Sequence, residues 1–311
     1  MEVILSAVLL LIGLVMLCFG GNWLVSGGVA IAKKFRISNL VIGMTIVAYG
    51  TSTPELAASI AAAGDHSAII LGNIIGSNIA NVGMVIGVAA ILVPLVVQKS
   101  VLRKEIPIML GVSALLVLLS IDGEISQYDG ILLLIGLGVF TAYTFRNALK
   151  QREKSTGDSD FSKNNIYLKS IGLIGIGIIV LYIGAILTVD NAVVIATEFG
   201  LSEKIIGLTV IAIGTSLPEL ITSIIAIRKG HSDIGIGNII GSNIYNVLMI
   251  MGVDASLGGV LITADVYVDY AIMIIFSISL LIGLKTHIIN RTMGVILAAG
   301  YILYLITTFF K

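Results

Sequence analysis

Gly50-Thr51-Ser52-Thr53-Pro54-Glu55 and, further along the chain, Gly214-Thr215-Ser216-Leu217-Pro218-Glu219 are one short stretch written twice. Each copy lies deep in apolar sequence. Each is followed about 17 residues later by Gly-Asn-Ile-Ile-Gly-Ser-Asn, at Gly72 to Asn78 and at Gly237 to Asn243. A glycine and a proline four apart break the backbone ladder of a hydrophobic helix. Pro54 has no N–H for the Gly50 carbonyl, its ring clashes there, and it pushes Thr53 away from helical geometry. Carbonyl oxygens in the turn lose their internal partners, and hydrocarbon cannot replace them. Broken backbone at membrane depth is tolerated only where it lines a cavity or is buried in protein. The next residue in each copy is a carboxylate, so the pair is read as two halves of one cation site.

Composition sets the class. Hydrophobic residues fill 57% of the 311 positions, charged residues 12%, and mean hydropathy is +1.09. A soluble domain carries roughly 25% charged residues, so the chain reads as an all-α integral membrane protein. A formal net charge of zero gives no sign of a nucleic-acid partner, and a single cysteine, Cys18, excludes an internal disulfide or thiolate cluster.

Working outward from the repeats, ten spans of about 20 residues are long enough to cross a hydrocarbon core. They fall near Val3–Ala32, Asn39–Ala63, Ala68–Val97, Ile106–Ile121, Tyr128–Tyr143, Ser170–Ala196, Glu203–Ile227, Ile234–Leu257, Val268–Leu284 and Met293–Phe310. The first is kept as a span, not a signal peptide, because its flank holds Glu2 and no Lys or Arg. Sixteen of the eighteen Lys and Arg fall in loops on one side, leaving only Lys204 and Lys311 on the other. The positive-inside rule then puts both termini outside the cell membrane.

Aligning Glu55 with Glu219 gives an offset of 164, which becomes 165 by His66 and His231. Ten of 15 positions agree between Ile42–Leu56 and Ile206–Leu220, and ten of 11 between Gly72–Val82 and Gly237–Val247. The match reaches back to the first span of each half through Gly20 with Gly184 and Phe35 with Phe199. The unit is therefore five spans. Five is odd, so the second unit enters the membrane from the opposite side: two inverted five-helix repeats with a midplane site where they meet. Residues 1–150 form the first repeat and 169–311 the second. Residues 151–168 are a cytoplasmic linker, whose polar stretch Gln151–Asn165 is the hinge.

Within each unit polar residues fall into register. Thr51, Glu55 and Ser59 lie four apart, as do Asn73, Ser77 and Asn81; the second half repeats this as Thr215, Glu219, Ser223 and Asn238, Ser242, Asn246. Two carboxylates with hydroxyl, amide and carbonyl oxygens suit Ca²⁺ or Na⁺ and not a soft transition metal. Plainer roles compete. Gly72-xxx-Gly76 and Gly237-xxx-Gly241 also read as helix-packing motifs, and Ser77 and Ser242 could bond back to their own helices. Asn78 and Asn243, off the stripe, read as links between helices. His66, His231 and His287 read as solvated loop-edge histidines, Asp190 as an interfacial cap or a gate residue, and Cys18 as core packing.

Gly-Thr-Ser-x-Pro-Glu followed by Gly-Asn-x-x-Gly-Ser-Asn, twice in ten spans, resembles the sodium/calcium exchanger branch of the cation/Ca²⁺ antiporter superfamily, in its prokaryotic form. The resemblance implies an electrogenic antiporter exchanging Na⁺ for Ca²⁺ by alternating access, not an enzyme, with no cofactor and no obligate protein partner. It implies that Glu55 and Glu219 ligate Ca²⁺ with backbone oxygens of Thr51 and Thr215. Flanking Na⁺ sites would use Ser52, Ser77 and the Ala48 carbonyl on one side, and Ser216, Ser242 and the Ala212 carbonyl on the other. Asn81 and Asn246 would line the centre; some relatives, including potassium-dependent ones, carry aspartate where Asn246 stands. Spans 1 and 6, long and glycine-rich, are the candidates for a sliding gate. A proton/calcium antiporter of the same fold is the alternative, although the glutamate–histidine pair common in that branch is missing from the span 3 motif. A passive channel is a further alternative.

Overall fold

The computed structural model describes residues 2–62, 67–153, 164–200, 212–263, 266–282 and 287–309. Almost all of them are helical. In chain order the helices are α1 (Glu2–Phe35), α2 (residues 39–62), α3 (67–92), α4 (101–119) and α5 (Gln127–Glu153). Then come α6 (Asn164–Glu198), α7 (212–228), α8 (232–258), α9 (266–282) and α10 (Arg291–Phe309). Six of them are long and apolar enough to cross a membrane. Side chains such as Phe19, Val139, Ile179 and Ile296 are more than half exposed on helix surfaces. Spread over α1, α5, α6 and α10, that much apolar surface suits lipid and not water.

The helices divide into core and periphery. In the most apolar 18-residue stretch, α8 is 100% buried and α3 83%, against 22% for α1 and 28% for α6. Around α3 and α8 pack Ile74, Ile75, Ile79, Ile239, Ile240 and Ile244, all at 2% exposure or less. The motif helices are therefore the centre of the molecule.

α1 and α6 pack along each other, and their buried side chains share a second, smaller core cluster with Ile42, Val47, Ala226 and Ile234. A Cβ added at Gly13 would come within 2.8 Å of the Gly184 carbonyl, at Gly20 within 2.9 Å of the Gly177 carbonyl, and at Gly27 within 2.8 Å of the Ser170 carbonyl. As one number rises by seven the other falls by seven, so the helices run antiparallel and touch backbone to backbone. Small residues at a seam permit that approach.

Four two-residue strands cap the bundle. β1 (Leu95–Val96), after α3, pairs antiparallel with β4 (Ile288–Ile289), between α9 and α10. β2 (Glu124–Ile125), between α4 and α5, pairs with β3 (Val260–Leu261), after α8. Nothing in the span pattern announces these strands. Pro94 ends α3 before the expected Val97 and leaves extended backbone behind it.

Some expectations change. α5 runs to Glu153 and α6 begins at Asn164, so both helices enter the expected linker; residues 154–163 lie outside the described residues, as do His66 and residues 203–211 of the expected seventh span. Asp190 is no cap: α6 continues for two more turns to Glu198, and the side chain is exposed. Cys18 is exposed on α1 and not in the core. His231 is only half-exposed, and its Nδ1 lies 3.4 Å from the Asn39 amide nitrogen. Burial, with Lys33 and Lys229 nearby, pushes that imidazole below its usual value, which suits an acceptor nitrogen.

Candidate cation site

The break in α2 falls one residue before the expected place. Helix runs through Thr51, Ser52 leaves it with ψ 5°, and helix resumes at Thr53. In α7, Ser216 has ψ 0° and helix resumes at Leu217. Each proline thus sits in the first turn of a new helical segment, where its missing N–H is not needed. Each glutamate follows in the same turn.

Both acids are buried, Glu55 at 1% exposure and Glu219 at 0%. They meet between the two halves, since Ser52, one turn before Glu55, reaches across to Glu219. Glu219 Oε1 accepts from the Ser52 hydroxyl at 3.2 Å and from the Ser242 hydroxyl at 3.4 Å. Ser242 therefore does not bond back to its own helix. Glu219 Oε2, both Glu55 oxygens and the hydroxyls of Ser77 and Ser216 are buried without a hydrogen-bond partner. An unpartnered buried carboxylate is costly unless something compensates it. A cluster of unpartnered oxygen ligands is what a hard cation would use.

Around this centre the halves are cross-laced. Thr51 Oγ1 donates to Asn238 Oδ1 at 3.0 Å, and Asn238 Nδ2 donates to Ser223 Oγ at 3.0 Å. In mirror fashion Thr215 Oγ1 donates to Asn73 Oδ1 at 3.5 Å, while Asn73 Nδ2 reaches Ser59 Oγ at 2.9 Å and the Glu55 carbonyl at 3.2 Å. Asn73 and Asn238, read from sequence as part of a ligand stripe, are committed to tying α2 and α7 to α3 and α8. The Ala48 carbonyl accepts from the Ser52 N–H at 3.0 Å, and the Thr51 Oγ1, whose proton is shared with Asn238, lies 3.3 Å from it. Ala212 opens the described part of α7.

Asn78 and Asn243 join the halves, as expected, and do something further. Each donates from Nδ2 to the other's carbonyl at 3.3 Å. Each also accepts through Oδ1: from Asn246 Nδ2 at 3.0 Å and from Asn81 Nδ2 at 3.0 Å. This engages the NH₂ groups of Asn81 and Asn246 and leaves their Oδ1 atoms buried and unpartnered. Both of these asparagines open π-helical segments, Asn81–Ile86 and Asn246–Met251, a local widening frequent at functional sites. Asn78→Ala or Asn243→Ala should free the partner amide to rotate its NH₂ inward. The expected result is about tenfold weaker binding of a hard cation, with Ca²⁺ as the probe, and about 2 kcal/mol lower stability, with the double variant little worse than either single one because the four amides act together. Calorimetric titration and thermal unfolding would measure both.

Among the described residues no group of three or more His, Cys, Asp or Glu gathers. What the fold and site define is an integral membrane protein built around a buried, oxygen-lined pair of acids. The sodium/calcium exchanger protein family model matches residues 5–146 and 169–310, and the chain belongs to that family. It is 32% identical to the sodium/calcium exchanger MaX1 of Methanosarcina acetivorans, with 97% of this chain and 98% of that one covered. It is 37% identical to the inner membrane protein YrbG of Escherichia coli, over 97% of this chain and 96% of that one. A solved structure of the sodium-calcium exchanger NCX_Mj, soaked with 10 mM Na⁺ and zero Ca²⁺, superposes with a TM-score of 0.87 at 36% identity, covering 98% and 99% of the two chains.

Proposed function

We propose that this protein is a Na⁺/Ca²⁺ antiporter of the cell membrane, with ten spans in two inverted five-helix repeats and both termini outside. The observation that carries the reading is the buried pair Glu55 and Glu219, contributed one from each half and set among unpartnered oxygens. Support for the inverted repeat is independent of the site. The α1–α6 seam is antiparallel, and the family model matches the chain in two blocks. The strands obey the same exchange: β1 and β3 correspond at an offset of 165, β2 and β4 at 164, and each pairs with the other half's non-equivalent strand.

Ca²⁺ would be held by Glu55 and Glu219 with oxygens of Thr51 and Thr215. Na⁺ would use Ser52 and Ser77 on one side and Ser216 and Ser242 on the other, with the carbonyls of Ala48 and Ala212, and Asn81 and Asn246 at the centre. The Ala48 carbonyl accepts the Ser52 N–H, and with the one Thr51 proton directed more closely to Asn238, its second lone pair is open to Na⁺. Two ionised acids are neutralised by one Ca²⁺ or by competing Na⁺ on overlapping oxygens. Only a compensated site crosses the apolar barrier cheaply, which couples the two fluxes in opposite directions. The acids are closed to solvent here. Alternating access is assigned to α1 and α6, the less buried pair, sliding together across the motif helices.

The test is Ca²⁺ uptake into proteoliposomes. Uptake should require an internal Na⁺ load, saturate with Ca²⁺, and accelerate when the interior is made positive, because more than two Na⁺ leave per Ca²⁺. Uptake driven by a pH gradient and indifferent to Na⁺ would make the protein a proton/calcium antiporter instead. Non-saturating uptake without Na⁺ would make it a leak.

A further inference from the structure

Among the described residues, the second half has a buried acid at a position where the first half has an apolar side chain. Asp254 stands on α8, eight residues beyond Asn246 and so about two turns further along the helix. It is 1% exposed, and neither carboxylate oxygen has a hydrogen-bond partner. The end of α8 that carries it, Gly252–Gly258, packs on the Thr53–Ala62 segment of α2, which brings the buried Ser59 hydroxyl to its side. Ser59 is itself fully buried and accepts from Asn73 Nδ2, which also reaches the Glu55 carbonyl. Oxygen ligands therefore continue from the central acids outward along α2 to Asp254.

The position has no counterpart. At the repeat offset of 165 the first half carries Ala89, an apolar side chain at 1% exposure. Ser223, which mirrors Ser59, bonds to the Gly235 carbonyl at 3.4 Å and to Asn238. Beyond Asp254 the acidic trend goes on to the surface. Glu124 of β2 lies over Gly259, where an added Cβ would come within 2.6 Å of its Oε1, and both Asp122 and Glu124 are exposed. In the proposed topology all of these groups lie on the outer side of the central site.

We propose that Asp254 and Ser59 form a second hard-cation site, a way-station on the outer route only, that loads the transported ions from outside. The proposal rests on the exchanger reading for its sidedness. A buried, unpaired carboxylate has little structural reason to persist, since an apolar residue of similar volume would cost nothing to desolvate. Beside a hydroxyl and in line with the transport site, it attracts a cation that is shedding its water. With no acid at Ala89, ions from inside receive no such help, so the exchanger is asymmetric.

Asp254→Asn keeps the shape and removes the charge, and Ser59→Ala removes the second ligand. In proteoliposomes of defined orientation, Asp254→Asn should raise the external half-saturating concentration about tenfold, the effect of losing one close charge in partly screened surroundings. The internal value and the maximal rate should not move. Separate external Ca²⁺ and Na⁺ titrations show which cation uses the site. Ser59→Ala should shift the same external value by about threefold. Unchanged external affinity in Asp254→Asn overturns the proposal, as does an equal shift on both faces. If Asp254→Asn does not fold, Asp254→Ala, which puts there the residue the first half has at Ala89, decides in the same way. Should the wild type show no Na⁺-driven uptake, the exchanger reading fails separately. Calorimetry with Ca²⁺ alone then tests the site: the wild type should show a weak binding event that Asp254→Asn lacks, and identical titrations would overturn it.

Discussion

Glu55→Gln and Glu219→Gln should each abolish Na⁺-dependent Ca²⁺ uptake while leaving a folded protein. A divalent ion about 4 Å from one carboxylate gains roughly 8 kcal/mol at an effective dielectric of about 20. Part of that gain is spent in every state holding an uncompensated buried acid, so a net loss of several kcal/mol, or more than about a hundredfold in affinity, is the expected size. The glutamines keep the volume and relieve the repulsion between two close acids. Thermal stability without ions should therefore match or exceed that of the wild type. Adding Ca²⁺ should raise the unfolding temperature of the wild type by linkage and leave both variants unmoved. Wild-type flux in both variants would sink the assignment. A collapse of ion-free stability would show instead that the acids hold the fold together.

Much of this was legible in the sequence because the lipid environment removes options. Broken helix at a glycine–proline pair must be buried, and an acid beside it must be compensated; seen twice at a fixed offset, Glu55 and Glu219 had to be partners. The role of Asn78 was only half legible. Its place off the stripe showed that it joins helices, but the orientation it imposes on Asn246 depends on which amide faces which across the interface, a three-dimensional fact. Asn73 went the other way: its spacing made it look like a ligand, and only the position of Ser59 shows that its amide is already used. Asp254 was hidden by its neighbours, because one acid near the end of an apolar helix looks like an interfacial residue until its burial is known. The four short strands were invisible because two extended residues carry no period.

Locking α1 to α6 should be harmless, whereas locking α1 to the core should stop transport. The seam explains the first half. An added Cβ at Gly184 would sit 3.0 Å from the Met16 Cβ, a little inside the usual disulfide range of about 3.5–4.5 Å, so Met16→Cys with Gly184→Cys should cross-link with a small adjustment. If the two helices move as one body, a bond within that body leaves exchange intact. Gly21 provides the contrast: a Cβ there would meet the Thr222 Oγ1 of α7 at 2.9 Å and its Cα at 3.4 Å. Gly21→Cys with Thr222→Cys ties the sliding pair to the motif helix. Both pairs are best made with Cys18→Ser, since Cys18 is exposed on α1 and would compete for oxidant. Oxidation should leave the first pair near wild-type flux and reduce the second by at least about a hundredfold, about 3 kcal/mol added to the barrier for crossing. Reductant should restore the second. Arrest of both pairs would mean that α1 and α6 move against each other; arrest of neither would mean that access is controlled by α2 and α7, whose segments bend at Ser52 and Ser216.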